Sequence, residues 1–151
     1  MLAVAIATLG ACTKREPVPG GDIVAALTSP TVEGPNFDPS KLRGKRSLVL
    51  FVSPTCPHCI EELPIAQKVA RENDANVVAV FIVGKAENAK GVLSHTKFEG
   101  PALIDDGTLR RKYGVRAVPY TLVVAADGTA RTALRGAQGE ARLEDALDDA
   151  R

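Results

Sequence analysis

Long apolar stretches and surplus charge are the features most clearly missing from this 151-residue sequence. Beyond the first residues, the longest unbroken apolar runs cover 48–52 and 77–83, well short of the roughly 20 residues that a membrane-spanning helix needs. Lys and Arg number 19 against 18 Asp and Glu, so no charge excess favours nucleic acid or another polyanion as a partner. We therefore expect no transmembrane segment in the mature chain and no nucleic-acid binding.

The remaining composition is that of one globular domain. Apolar residues make up 45% and charged residues 25%, and the chain is long enough to bury a full core. No internal repeat or low-complexity segment interrupts it. Cysteine occurs only three times, so the positions of these residues carry much of the information about chemistry.

The first residues have the pattern of an export signal. Residues 1–11 are uncharged and mostly apolar, and Cys12 is followed directly by polar residues. Residues 9–12, Leu-Gly-Ala-Cys, resemble a bacterial lipobox, in which cleavage before the cysteine leaves it lipidated. The basic region that usually opens such a signal is missing, because no Lys or Arg precedes Lys14. The alternative is a buried N-terminal helix or strand with an incidental cysteine.

We accordingly predict a lipoprotein-type signal at 1–11, lipid on Cys12, a tether at 12–21 rich in Pro and Gly, and one domain at 22–151. Such a lipid would hold the domain on the periplasmic side of a bacterial envelope without spanning the membrane. The other two cysteines would then form a self-contained pair in an oxidising compartment.

Strand and helix patterns alternate along the domain. Continuous apolar runs predict buried strands at 47–52 and 76–83, and helical spacing of apolar residues predicts a helix at 57–73. Asp127-Gly128 is typical of a hairpin turn. The other predicted strands are 23–27, at an edge, 102–104, 120–125 and 130–134, and the other predicted helices are 85–98, 107–113 and 140–150. This order indicates an α/β sandwich with a mixed sheet.

The segment Cys56-Pro57-His58-Cys59 lies where a buried strand ends and a helix begins. A thiolate at a helix N-terminus is stabilised by unpaired backbone N–H groups and by the helix dipole, which lowers the thiol pKa. Cys56 is therefore the predicted nucleophile. Cys59, three residues further along, is placed to resolve the mixed disulfide formed on Cys56.

The two intervening residues fit the same chemistry. Pro57 falls near the first helical position, where its missing N–H does no harm. A protonated His58 adds positive charge near the Cys56 sulfur and should depress its pKa further. Stabilising the thiolate makes the disulfide a stronger oxidant, so this motif by itself favours oxidation of clients. The two sulfurs suffice for the exchange, and we expect neither cofactor nor metal.

Four other interpretations of the pair stay open at this stage. A structural disulfide would close a very small loop and remove little chain entropy. Zinc needs four ligands, and only the pair, His58 and His95 are available. A copper(I) delivery module could use two thiolates. A thiol peroxidase would need Cys56 alone to consume peroxide.

Several segments resemble the thioredoxin superfamily. They are the Cys-x-x-Cys at a strand–helix junction, Pro64 five residues after Cys59, and Ala-Val-Pro at 117–119 opening a later strand. Residues 41–45, 59–64 and 113–119 are similar to the TlpA/ResA branch of membrane-tethered extracytoplasmic proteins. Residues 53–57 resemble MauD proteins, and the Pro-His dipeptide resembles DsbA. The resemblance covers about 42–147 and implies a thioredoxin-like three-layer sandwich, with a mixed central sheet flanked by helices.

The resemblance also implies roles for residues outside the motif. Val118 and Pro119 correspond to a cis-proline loop that lies beside the disulfide and pairs with an extended client segment. Glu62 aligns with an acidic residue that tunes the titration of the cysteines, although a glutamate on a helix is usually a solvated surface charge. The implied partners are client protein thiols or disulfides and a separate redox protein, and we expect a monomer.

The sequence departs from these relatives at two points. The branch usually carries Trp before the first cysteine, whereas this chain has Thr55 there and no Trp at all. Thioredoxins carry an acid on the central strand, whereas 48–52 is wholly apolar, so Glu62 or water would have to accept the proton. The branch favours a reductant and the motif an oxidant; we adopt the reductant as the working hypothesis and leave the direction open.

Overall fold

The computed structural model describes residues 18–34 and 36–151. The predicted signal at 1–11, the lipidation at Cys12 and tether residues 12–17 lie outside these ranges. The helices and strands of the described residues are, in chain order, α1 Ile23–Ala26, a 3-10 helix Pro39–Leu42, β1 Ser47–Val52, α2 Pro57–Glu72, β2 Asn76–Phe81, α3 Ala86–Thr96, β3 Ala102–Ile104, α4 Thr108–Lys112, β4 Tyr120–Val124, β5 Ala130–Arg135 and α5 Glu140–Asp148. None of the helices in the described ranges is long and apolar enough to cross a bilayer.

The five strands form one mixed sheet in the order β3-β2-β1-β4-β5. β1 pairs in parallel with β2 and antiparallel with β4, so it occupies the centre, and all six of its residues are buried. Leu50 at mid-strand lies opposite Ala79 of β2 and Thr121 of β4. The continuous apolar run of 47–52 thus reflects a strand covered on both faces.

Helices cover both faces of the sheet. Leu48, Leu50 and Val52 of β1 pack into a core with α2, α3 and α5. Val49 and Phe51 point to the other face and pack with α1, the 3-10 helix and α4. The predicted three-layer sandwich with a mixed central sheet is confirmed.

The edge strand predicted at 23–27 is wrong. Ile23–Ala26 is a single helical turn capped by Asp22, whose Oδ1 accepts a hydrogen bond from the Ala25 N–H at 3.0 Å. Ile23, Val24 and Leu27 are buried, a helical spacing that the short apolar run did not distinguish from a strand. Segment 30–32 lies at the sheet edge instead and exchanges backbone hydrogen bonds of 2.8 Å with β3.

Candidate active site

The cysteine pair lies at the carboxyl end of the central strand. β1 ends at Val52, a short turn follows, and Cys56 is the N-cap of α2, with Pro57 in its first turn. The Cys59 N–H donates to the Cys56 Sγ at 3.2 Å and also to the Cys56 carbonyl oxygen at 3.1 Å, as a donor of the first helical turn. The helix therefore directs a backbone donor at this sulfur.

Cys56 and Cys59 form a disulfide, with their Cα atoms 5.3 Å apart. The two halves differ in access, because Cys59 is fully buried whereas Cys56 is partly exposed. A thiolate from another protein can thus reach the Cys56 sulfur while Cys59 is shielded.

The Val118–Pro119 peptide bond is cis, and the loop that carries it lies against the disulfide. The Cys56 Sγ lies 3.8 Å from the Val118 carbonyl oxygen. Val118 is half-buried and Pro119 is buried. The sulfur of the partly exposed Cys56 therefore has a backbone segment beside it, directly before β4 begins at Tyr120.

His58 is exposed and pairs with a residue that the sequence analysis did not single out. Its Nδ1 lies 3.3 Å from the Glu61 Oε2, and both side chains are about 70% exposed. A protonated His58 would therefore place its positive charge beside a carboxylate. The carboxylate weakens the expected effect of His58 on the Cys56 sulfur. The spacing of three residues on one helix was the sequence signal for the His58–Glu61 pair.

Glu62 is buried, with 1% of its surface exposed, so its interpretation as a solvated charge is wrong. Its Oε1 accepts a hydrogen bond from the Thr121 hydroxyl at 2.9 Å, and its Oε2 accepts one from the Gln138 N–H at 3.0 Å. Burial raises the pKa of Glu62, while the bonds from Gln138 and Thr121 act in the opposite direction. The result is a carboxyl group inclined to hold a proton, one helical turn after Cys59.

Sequence reasoning missed both partners of Glu62. Thr121 is fully buried as the second residue of β4, directly before an apolar run. A buried hydroxyl requires a hydrogen-bond partner, so its position was a usable signal. Gln138 acts on Glu62 through its backbone in a loop, and no residue pattern indicates that contact.

The mixed sheet, with a Cys-x-x-Cys disulfide at the start of a helix beside a cis-proline, defines the class of thioredoxin-like domains. The model of the thioredoxin-like domain family matches residues 36–151, and the chain belongs to this family.

Named relatives agree with this assignment. The methylamine utilization protein MauD of Methylobacillus flagellatus is 31% identical over 85 residues, which cover 56% of this chain and 41% of MauD. The soluble secreted antigen MPT53 of Mycobacterium tuberculosis is 33% identical over 106 residues, which cover 68% of this chain and 61% of MPT53. The chain thus spans about two fifths to three fifths of the curated relatives it matches.

A solved structure extends the similarity to most of the chain. It is a secreted Mycobacterium tuberculosis disulfide oxidoreductase homologous to Escherichia coli DsbE, with a TM-score of 0.73 and 26% identity, and the match covers 85% of this chain and 98% of that one. The resemblance to thioredoxin-like extracytoplasmic oxidoreductases, including MauD, is confirmed.

Proposed function

We propose that the protein is a thiol–disulfide oxidoreductase that exchanges its Cys56–Cys59 pair with cysteines of extracytoplasmic client proteins. The observation that carries this proposal is the unequal access of the two sulfurs at the start of α2, beside the cis Val118–Pro119 loop. A client segment in extended conformation would pair with the backbone at Val118 and bring its own sulfur to Cys56.

In the reducing direction, the Cys56 thiolate attacks a client disulfide, and one client sulfur leaves as a thiolate. The Cys59 thiol then loses its proton and attacks the Cys56 sulfur, which releases the second client thiolate and leaves the Cys56–Cys59 disulfide. Two electrons pass to the client, and a redox partner must return them. Glu62, buried one turn after Cys59 with a raised pKa, is the proposed acceptor of the Cys59 proton.

We keep the preference for the reducing direction. The argument for an oxidant rests on two stabilising influences on the Cys56 thiolate, the helix start and a positive charge at His58, and Glu61 lies where it would offset the second. We expect a reduction potential nearer to the roughly −270 mV of thioredoxin than to the roughly −120 mV of DsbA. Equilibration of the purified domain with glutathione buffers measures it, and a value near that of DsbA would reverse the assigned direction.

Insulin reduction tests the activity itself. The wild-type protein should accelerate the reduction of insulin by dithiothreitol, and Cys56→Ser should remove the acceleration. A wild-type protein that leaves insulin untouched but retains stoichiometric copper(I) through dialysis, or consumes peroxide through Cys56, would favour one of the alternative functions instead.

We further propose an extracytoplasmic location, with the domain held at the membrane as a monomer by lipid on Cys12. MPT53 is described as secreted, and the pattern of 1–11 followed by cysteine supports export. In a bacterial host, Cys12→Ser should lose palmitate labelling and move from the membrane to the soluble envelope fraction. Equal labelling and partition of both forms would contradict the anchor.

A further inference from the structure

The loop that joins β5 to α5 contacts two parts of the site at once. The N–H of Gly136 donates a hydrogen bond to the Pro119 carbonyl oxygen at 2.9 Å. Two residues later, the N–H of Gln138 donates to the Glu62 Oε2 at 3.0 Å. Residues 135–138, here called the 135–138 loop, thus connect the cis-proline segment to the buried carboxyl group.

The side chain of Gln138 fastens this loop onto itself. Its Nε2 donates hydrogen bonds to the Arg135 carbonyl oxygen at 2.9 Å and to the Gly136 carbonyl oxygen at 2.8 Å. Gly136 has a φ of +74°, a left-handed conformation that glycine adopts without strain. The two side-chain bonds hold the turn in which the backbone N–H groups of Gly136 and Gln138 reach Pro119 and Glu62.

We propose that Gln138 is a positioning residue, whose side chain keeps the 135–138 loop in the form that joins Glu62 to the cis Val118–Pro119 segment. This inference rests on the proposed function, because it assigns the loop the task of coupling client docking at Val118 to the proton held by Glu62. A client that pairs with the cis-proline segment would contact a segment to which the 135–138 loop is hydrogen-bonded, and the same loop donates a hydrogen bond to the Glu62 carboxylate.

Few groups contact the Glu62 carboxylate, so the hydrogen bond from the Gln138 N–H has a large share in setting its pKa. From β4 the carboxylate meets the Thr121 hydroxyl, and on α2 the preceding turn carries Cys59, which does not titrate in the disulfide. The neighbouring Glu61 is exposed and pairs with His58. Burial is the dominant influence on the pKa of Glu62, and no charged side chain of the described ranges contributes to its shift. Weakening the Gln138 donor should therefore raise this pKa further.

Gln138→Ala tests the proposal in the oxidised protein, where the cysteines are silent. With glutamate labelled at its carboxyl carbon, NMR should show the Glu62 resonance of Gln138→Ala titrating at higher pH than that of wild type. Gln138→Met, which keeps the length of the side chain without its donors, should behave alike and serves if the alanine variant unfolds. Gln67→Ala is the matched control, because Gln67 also fastens a loop, through the Lys97 carbonyl and the Glu99 N–H, away from Glu62.

The reduced protein supplies a second readout. Insulin reduction near neutral pH should fall about tenfold in Gln138→Ala, the scale of one lost hydrogen bond to a charged group. In a Glu62→Gln background the same substitution should change the pH profile little, because the group through which it acts is already gone. Additive effects in the two backgrounds, or an unchanged Glu62 titration in both Gln138 variants, would overturn the proposal. Absent insulin reduction in wild type would defeat the proposed function, whereas the NMR titration would still decide the role of Gln138.

Discussion

Cys59→Ser is expected to hold client proteins as stable mixed disulfides on Cys56. The sulfur of the partly exposed Cys56 still attacks a client disulfide, but no second thiolate is available to displace the client. Turnover in insulin reduction should fall roughly a thousandfold or more, the scale on which removal of a covalent-catalysis group acts. Incubation of the reduced variant with envelope extract, followed by mass spectrometry of the trapped species, measures the outcome.

The controls for this experiment follow from the three cysteines of the chain. The trap belongs in a Cys12→Ser background, so that Cys56 is the only remaining thiol. Cys56→Ser in the same background leaves only the buried Cys59 and should trap nothing. Equal yields of mixed disulfide from the two variants would show that burial does not decide which sulfur reacts, and the assignment of Cys56 as nucleophile would be lost.

Much of the fold could be predicted because the central strand has a distinctive composition. The run 47–52 is apolar throughout, and only a strand covered by helices on both faces accommodates it. The strand predicted at 76–83 ends at Phe81, since its neighbours end there: Val52 of β1 and Ile104 of β3 both lie opposite Phe81. Val83 is therefore 45% exposed despite its apolar character.

The site was predictable where chemistry is local in sequence and not where it depends on distant contacts. The Cys-x-x-Cys pair and the resemblance at 117–119 indicated the disulfide and the cis-proline loop. The contacts that bury Glu62 were only indirectly signalled, by Thr121 in a buried strand, since the partners Thr121 and Gln138 lie 59 and 76 residues further along the chain. The residue type assigns a glutamate to the polar face, although helical spacing places Glu62 on the buried face with Cys59 and Ala66. Only the folded sheet supplies the donors that let the carboxyl group remain buried.

Glu62→Gln should remove a pH-dependent loss of stability from the oxidised protein. Burial raises the pKa of Glu62 in the folded state above its ordinary value, so the folded protein binds this proton more tightly than the unfolded chain does. The stability that results is fully present below the pKa that Glu62 has in the unfolded chain. It is lost as the pH rises through the pKa that Glu62 has in the folded protein. The glutamine variant has no such proton to lose. In urea unfolding across a pH series, its free energy of unfolding relative to that of wild type should therefore increase as the pH rises.

Two further variants separate charge from hydrogen bonding. In Glu62→Gln the amide can present its oxygen to the Gln138 N–H and its nitrogen to the Thr121 hydroxyl, so both partners stay bonded. Glu62→Leu leaves both partners without this hydrogen bond, which should lower the free energy of unfolding by about 1–3 kcal/mol for each unsatisfied group. Glu61→Gln changes the exposed neighbour and should leave the pH dependence as in wild type. A parallel decline of Glu62→Gln and wild type would mean that Glu62 is not the group responsible.

The same substitution should act on catalysis with the opposite sign. If Glu62 accepts the Cys59 proton, Glu62→Gln should slow the release of a client from Cys56 by about a hundredfold, the usual effect of losing a general base. A buried carboxyl group that lowers stability at neutral pH and yet speeds the resolving step is retained for function rather than for the fold. If Glu62 had only a structural role, its substitution would lower both the stability of the protein and the rate of client release. Stopped-flow measurement of client release, together with the urea series, therefore distinguishes a functional role from a structural one. Faster or unchanged release in Glu62→Gln would assign the proton to water.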